Sequence, residues 1–156
     1  MNPKELREKI RELLAGQRLA VLSTFSPGGP YASLVAFHHS PDLRCLFFAT
    51  PRASRKYANL MHLQQAALLI DSRTNRSEDL QQAVAVTATG SAEEFSEEEK
   101  PAAAVFYLER HPYLQDFIAA PSTAFFAVLV ENYIYVSCFQ DVFELRLEKD
   151  ERKRCI

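Results

Sequence analysis

The chain is 156 residues long, with 47% hydrophobic and 24% charged residues and a formal net charge of −2. That length predicts one domain over residues 1–156 with a substantial core, and the near-neutral charge provides no basic footprint for nucleic acid. The longest apolar runs fall far short of a membrane span, and the charged N-terminal segment lacks a signal peptide's apolar centre, so a cytoplasmic location is expected.

Cys45, Cys138 and Cys155 are odd in number, widely separated and form no Cys-x-x-Cys pair. They predict neither a disulfide framework nor a zinc site, and Cys45 and Cys138 read as buried strand residues. With four glycines in all, a Rossmann fingerprint is excluded, and no phosphate loop, nucleophile elbow or zinc-protease motif occurs.

Asn2 and Pro3 open a helix in which Leu6, Ile10, Leu13 and Leu14 recur at helical spacing before Gly16 stops it. Leu19 to Thr24 reads as a strand, Ser26-Pro27-Gly28-Gly29-Pro30 as a turn, and Tyr31 to His38 as the returning strand of a hairpin. In that second strand Tyr31, Ser33, Val35 and Phe37 share one face, and Ala32, Leu34, Ala36 and His38 the other. Ser40-Pro41-Asp42 turns the chain into a third strand, Cys45 to Ala49, and Ala66 to Asp71 forms a fourth. Ser72 to Gln82 is polar and reads as an exposed loop. Ala83 to Glu93 is the longest strand signal, with Ala83, Ala85, Thr87 and Thr89 making a face of small residues suited to tight packing inside a small barrel.

Ser96-Glu97-Glu98-Glu99 is a capping box opening a helix to Arg110, with Val105, Phe106 and Leu108 expected among its buried residues. A further helical turn is expected between Tyr113 and Ala120. Thr123 to Val130 and Tyr133 to Phe139 read as two strands joined at Glu131-Asn132, followed by Val142 to Leu147 and a charged tail over residues 148–156 that is expected to fray. A meander of antiparallel strands with interspersed helices predicts a mainly β, α+β fold closed as a small barrel. The adjacent His38 and His39 point to opposite faces of a strand and so cannot chelate one metal together. Either of them is available to face a ligand as a proton donor. His62 and His111 fall near helix C-termini, where an imidazole is favourable for stability alone.

The stretch from Leu46 to Leu60 carries the chemistry. An aromatic strand ends at Ala49-Thr50, Pro51 stops it, and Ser54 caps a helix whose Tyr57, Leu60 and Met61 fall on one face. Arg55 and Lys56 occupy the first turn of that helix, where the macrodipole is already positive and a cation is ordinarily disfavoured. A bound anion resolves that conflict: free N–H groups at the helix start, the hydroxyls of Thr50 and Ser54, a guanidinium and an ammonium suit a terminal phosphate. A solvated helix start accounts for the same charges.

Phe48-Ala49-Thr50, a short gap, Ser54-Arg55-Lys56 and Asn59-Leu60 resemble the flavin-phosphate motif of the pyridoxamine 5'-phosphate oxidase-like family of FMN-binding split β-barrels. The looser match runs from about Leu19 to Val136. The resemblance implies a six- to seven-stranded antiparallel split β-barrel with flanking helices. It implies FMN as cofactor, with the phosphate held by Arg55 and Lys56, supported by Ala49, Thr50 and Ser54, and the flavin ring lying along the backbone of Ser33, Leu34 and Val35. It also implies a homodimer with the flavin at the subunit interface, and a flavin-dependent oxidoreductase acting on a small molecule; Tyr133, Tyr135, Phe139 and Phe143 are candidates either for that interface or for burial in the chain's own core. A non-catalytic flavin-binding or stress-sensing protein, or a haem-binding relative on the same fold, is the alternative. The chain departs from the true oxidases: it has no Trp, it carries Ala85 where they place a flavin-contacting Gln, with Gln81 and Gln82 nearby, and nothing after Leu147 resembles the haem-degrading relatives' His-bearing extension.

Overall fold

The computed structural model describes residues 1–148 and Cys155. Helix α1 (Pro3–Gly16) begins with a reciprocal cap: Asn2 Oδ1 accepts from the Glu5 N–H at 2.9 Å and Glu5 Oε2 from the Asn2 N–H at 3.2 Å. Its buried stripe is the expected Leu6, Ile10, Leu13 and Leu14. The first hairpin pairs β1 (Leu19–Ser26) with β2 (Gly29–His39) through a tight turn, where Gly29 adopts φ 121°, a value that favours glycine.

β3 (Cys45–Pro51), helix α2 (Arg55–His62), β4 (Gln65–Asp71) and β5 (Ala85–Glu94) follow. The strand order is β3-β2-β1-β4-β5-β6, and the pairing of β3 with β6 (Thr123–Ser137) closes the barrel, every neighbouring pair being antiparallel. Inside lie Leu22, Phe37, Leu46, Phe48, Leu68, Ile70, Val86, Ala88, Phe126 and Val128. The fold is thus a mainly β, closed six-stranded antiparallel barrel with one extra strand and flanking helices, as expected.

β6 corrects one expectation. Thr123 to Ser137 is a single strand of 15 residues, longer than β5 at 10, with no turn at Glu131-Asn132. One edge pairs with β5 from Phe126 to Val136; the other pairs first with β3, from Thr123 to Leu129, and then with β7 (Asp141–Arg146), from Asn132 to Ser137. Where the partner changes, Thr89 faces Asn132 and Gly90 faces Val130, so Glu131 is the extra residue of a bulge. A polar dipeptide that resembles a turn is here the place where a long strand bends.

The exterior is covered unevenly. α4 (Lys100–Arg110), a 3-10 turn (Pro112–Leu114) and α5 (Gln115–Ala119) lie over the outer faces of β3 and β6, enclosing Cys45, Phe47, Phe95, Tyr107, Ile118 and Phe125. β3 is therefore apolar on both faces, which explains its continuous hydrophobic run. Glu99 Oε1 accepts from the Ser96 N–H and Ser96 Oγ from the Glu99 N–H, so the capping box forms as expected. The inward residues of α4 are Lys100, Ala104 and Tyr107, whereas Val105 and Phe106 face outward, against expectation. Lys100 is buried because its ammonium donates to Ala120 O and Thr123 O and pairs with Glu97, which joins the α4 start to β6.

Other differences follow from packing that periodicity does not reveal. Met61 is exposed, and Asn59 takes its place in the interior by donating to Thr24 Oγ1 at 3.0 Å. The small residues Ala85, Thr87 and Thr89 form the outer face of β5, while Val86, Ala88, Gly90 and Ala92 face inward. The polar segment after β4 holds a single helical turn, α3 (Asp79–Gln82), because Asp79 accepts from the N–H groups of Thr74, Asn75 and Arg76. Tyr133 and Tyr135 are buried in the barrel's own core and Phe143 packs against it, leaving Phe139 exposed. Cys45 is buried in β3 as expected but is joined to Cys155 where no disulfide was expected, and Cys138, expected to be buried, is exposed at the β6–β7 turn. Of the tail, only Glu148 and Cys155 belong to the described residues.

Gly90 gives a direct test of the bulge, since a Cβ there would meet Leu129 O at 2.0 Å. Gly90→Ala forces the β6 backbone to move and is expected to cost about 1–3 kcal/mol, read as a lower midpoint in urea unfolding; an unchanged midpoint would contradict this packing.

Candidate functional site

The end of β3 and the start of α2 form a compact polar corner. Thr50, the last inward residue of β3, is buried, and its hydroxyl lies 2.6 Å from Ser54 Oγ. Ser54 caps α2 by accepting from the Tyr57 N–H at 3.2 Å. The N–H groups of Arg55 and Lys56, the first two residues of the helix, have no intrahelical acceptor. No acidic residue stands in that first turn, and among the described residues neither Arg55 nor Lys56 enters an ion pair. The Arg55 guanidinium sits over the Tyr31 ring, 5.0 Å from its centroid.

Arg52 behaves oppositely. It donates to Glu94 and Glu97 at 2.7 Å each, to Tyr57 OH at 3.2 Å and to Pro121 O at 3.0 Å, and the Glu94 hydrogen bond raises its pKa above the ordinary arginine value. It is a brace tying the β3–α2 loop to the end of β5 and the start of α4. Sequence reading missed it because the carboxylates lie 42 and 45 positions away.

β3 pairs with β2 only through Phe37, His38 and His39, although β2 runs back to Gly29. Along Gly29 to Ala36 one edge of β2 therefore bonds to β1 while the other meets no strand. Phe37 N–H donates to Arg18 O beyond the Leu19–Ala36 pair, which makes that pair non-hydrogen-bonded. By alternation the backbone groups of Ala32, Leu34 and Ala36 point to the open edge, and those of Ser33 and Val35 are engaged with β1. Ala36 O accepts from Tyr107 OH at 2.9 Å.

The result is a wedge between β2 and the end of β3, with the first turn of α2 at its base. It brings together Thr50, Ser54, Arg55 and Lys56 below and the Leu34 backbone along one side. Leu34's side chain is 66% exposed on the outer face, whereas Val35 is buried in the core and Ala49 half-buried beneath α4 and α5. Ser33 shares a face with Tyr31, and its Oγ is buried with no hydrogen-bond partner among the described residues. Buried hydroxyls are ordinarily satisfied, so this one is an acceptor or donor awaiting a group. Gln81 and Gln82 lie on exposed α3.

The histidines beside the wedge are held neutral. His38 stacks on Phe106 with centroids 4.2 Å apart, and its Nδ1 accepts from Arg110 Nη1 at 3.4 Å. Burial, with the charges of His39, Arg110 and His111, lowers its pKa to about 4. That makes it a poor proton donor at neutral pH. His39 and His111 are also shifted down, chiefly by burial, and each donates a ring N–H to a carbonyl, Ser40 O and Phe37 O respectively. Among the described residues no group of three or more His, Cys, Asp or Glu could hold a metal.

A barrel left open along β2, with an uncompensated cationic helix start at the foot of the opening, defines the split-barrel class. The family model of pyridoxamine 5'-phosphate oxidase matches residues 6–137, and the chain belongs to that family. Three solved structures show the same fold. General Stress Protein 26 from Bacillus anthracis is 25% identical, with a TM-score of 0.67 over 92% of this chain and 99% of that one. A heme binding protein from Mycobacterium smegmatis is 21% identical, with a TM-score of 0.78 over 89% of this chain but only 57% of its own length. A FAD-binding protein from Mesorhizobium loti is 18% identical, with a TM-score of 0.63 over 83% of this chain and 90% of that one. No curated protein matches in sequence.

The neutral histidines set a pH dependence. Below the unfolded value of about 6.5, the unfolded chain binds protons that folded His38 refuses until about pH 4. Stability is therefore complete above about pH 6.5 and lost as pH falls toward 4. His38→Gln is expected to flatten the melting-temperature slope across that window relative to the native chain; an unaltered slope would contradict the assignment.

Proposed function

We propose that this chain binds FMN non-covalently as a single split-barrel domain, and that two copies pair so that each flavin lies at their interface. The observation that carries the reading is the contrast between Arg52, saturated by two carboxylates, and Arg55 and Lys56, which enter no ion pair among the described residues and stand at a helix start beside two hydroxyls. A dianionic phosphate supplies the missing negative charge. Ser33 Oγ, buried with no partner among the described residues, and the Leu34 backbone on the open edge supply hydrogen-bonding groups where the flavin would run up β2. The residues present thus fit the cofactor.

The wedge is open on one side, which supports a second subunit as its cover. The outer faces of β2, β1 and β4 carry Leu34, Val21 and Leu69 in one cross-strand row that joins neither buried cluster of the described residues. Exposed apolar rows of this kind mark association surfaces. Bound FMN would supply two-electron transfer chemistry, and the chain's part is to fix the phosphate, align the ring along β2 and exclude water from its face. On this reading the protein is a flavin-dependent oxidoreductase acting on a small molecule. Haem is the second reading, favoured by the fold shared with the mycobacterial heme binding protein.

Two charge-assisted contacts at about 1.5–3 kcal/mol each set the test. Arg55→Ala with Lys56→Ala is expected to weaken FMN binding by about 10²-fold or more while leaving riboflavin, which lacks the phosphate, little affected. Equal losses for both ligands, or none, would contradict the phosphate assignment. Leu34→Glu is expected to convert a dimer to a monomer by light scattering; a native monomer would contradict the paired arrangement.

A further inference from the structure

The three-residue connection between Thr50 and Ser54 carries Arg52, and charges from elsewhere in the chain converge on it. Its Nη1 donates to Glu94 Oε2 at 2.7 Å and to Tyr57 OH at 3.2 Å, and its Nη2 donates to Glu97 Oε1 at 2.7 Å. Glu97 Oε2 in turn pairs with the Lys100 ammonium at 3.1 Å, and the Lys100 hydrogen bond, with that from Arg52, holds Glu97 below the usual carboxylate range. Arg52 and Lys100 thus balance Glu94 and Glu97, and the set of four is neutral. It stands against the first turn of α2. Tyr57 belongs to that turn: its N–H donates to Ser54 Oγ at 3.2 Å, its hydroxyl shares Arg52 Nη1 with Glu94, and its ring lies 5.7 Å from the Arg52 guanidinium. Glu94 is therefore a carboxylate, only 23% exposed, held beside the turn that also carries Arg55 and Lys56. Left uncancelled, its charge would oppose an anion at the helix start and would compete with that anion for the two cations.

We propose that Arg52 is a positioning residue for phosphate recognition: by pairing with Glu94 and Glu97 it keeps their charge from Arg55 and Lys56, and so sets how strongly this corner prefers a ligand bearing a phosphate over the same ligand without one. The inference rests on the reading of Arg55 and Lys56 as the phosphate site. Arg52 acts through those two residues, because its own fork is engaged by the carboxylates, Tyr57 OH and Pro121 O. The same bonds brace the loop, and the two roles differ in the sign of their effects. Glu94→Gln keeps a side-chain oxygen that accepts from Arg52 but removes one negative charge. A brace alone would be loosened by that change and would hold the phosphate less well. The charge set instead gains one net positive charge, which favours the phosphate.

The test is the ratio of FMN to riboflavin affinity, measured by flavin fluorescence titration of the full chain at low salt. Riboflavin lacks the phosphate, so the ratio cancels effects on folding and on the ring's own contacts. Arg52→Ala is expected to lower the ratio about tenfold and Glu94→Gln to raise it by a similar factor. Arg52→Ala with Glu94→Gln, which removes one charge of each sign, is expected to return the ratio to the native value, and the single-variant differences are expected to shrink as salt is raised. A ratio lowered or unchanged in Glu94→Gln would overturn the inference, and so would a double variant as poor as Arg52→Ala. Should Arg52→Ala fail to fold, Glu94→Gln decides alone by the direction of its change. A native chain that binds FMN no better than riboflavin would overturn the phosphate reading and this inference with it, whereas a native preference that the variants leave unaltered would overturn this inference alone.

Discussion

The molecule depends on how β3 is shared. This strand pairs with β6 through all seven of its residues but with β2 through only three. The first pairing closes the barrel and secures the core. The second is short enough that β2 and the end of β3 diverge, leaving backbone groups of β2 without a strand to satisfy them. A cylinder zipped along every strand would have no place for a flat polar ligand; this one has a defined gap, and α2 starts at its foot. The length of β6 makes the arrangement feasible, because its bulge at Glu131 lets one edge serve β3 and then β7.

Charge and apolar surface are then distributed around that gap. Three cations lie within five positions of one another, and the fold treats them differently. Arg52 is consumed in bracing the loop, so the positions of Arg55 and Lys56 do not depend on their finding partners within the chain. The helices α4 and α5 cover β3, β6 and the Ala36–His38 end of β2, while Leu34, Val21 and Leu69 on the outer faces of β2, β1 and β4 join neither buried cluster of the described residues. That row adjoins the gap, so pairing of two copies there would both bury apolar surface and enclose the ligand.

Much of this was legible in the sequence. The Thr50 to Lys56 segment stood out because a helix start with two cations and no acid is electrostatically unusual, and among the described residues those charges enter no ion pair. The hairpins, the α1 stripe and the Ser96 capping box were readable because their causes are local. What was not legible is what other parts of the chain supply. Glu131-Asn132 resembles a turn until β5 is seen to run past it. Met61, Val105 and Phe106 face outward because Asn59, Lys100 and Tyr107 find distant polar partners inside. The union of Cys45 with Cys155 and the grip of Glu94 on Arg52 join residues whose separation carries no pattern. Ser33 could be named from the resemblance, but its unsatisfied hydroxyl could not.

The central claim is that the gap between β2 and β3 holds FMN. The most direct measurement is the visible absorption spectrum of the purified protein, with mass identification of whatever is released on heating. The account predicts a flavin spectrum and released FMN, or uptake of added FMN by protein that purifies without it. A haem Soret band, or a colourless protein that takes up no FMN, would contradict it.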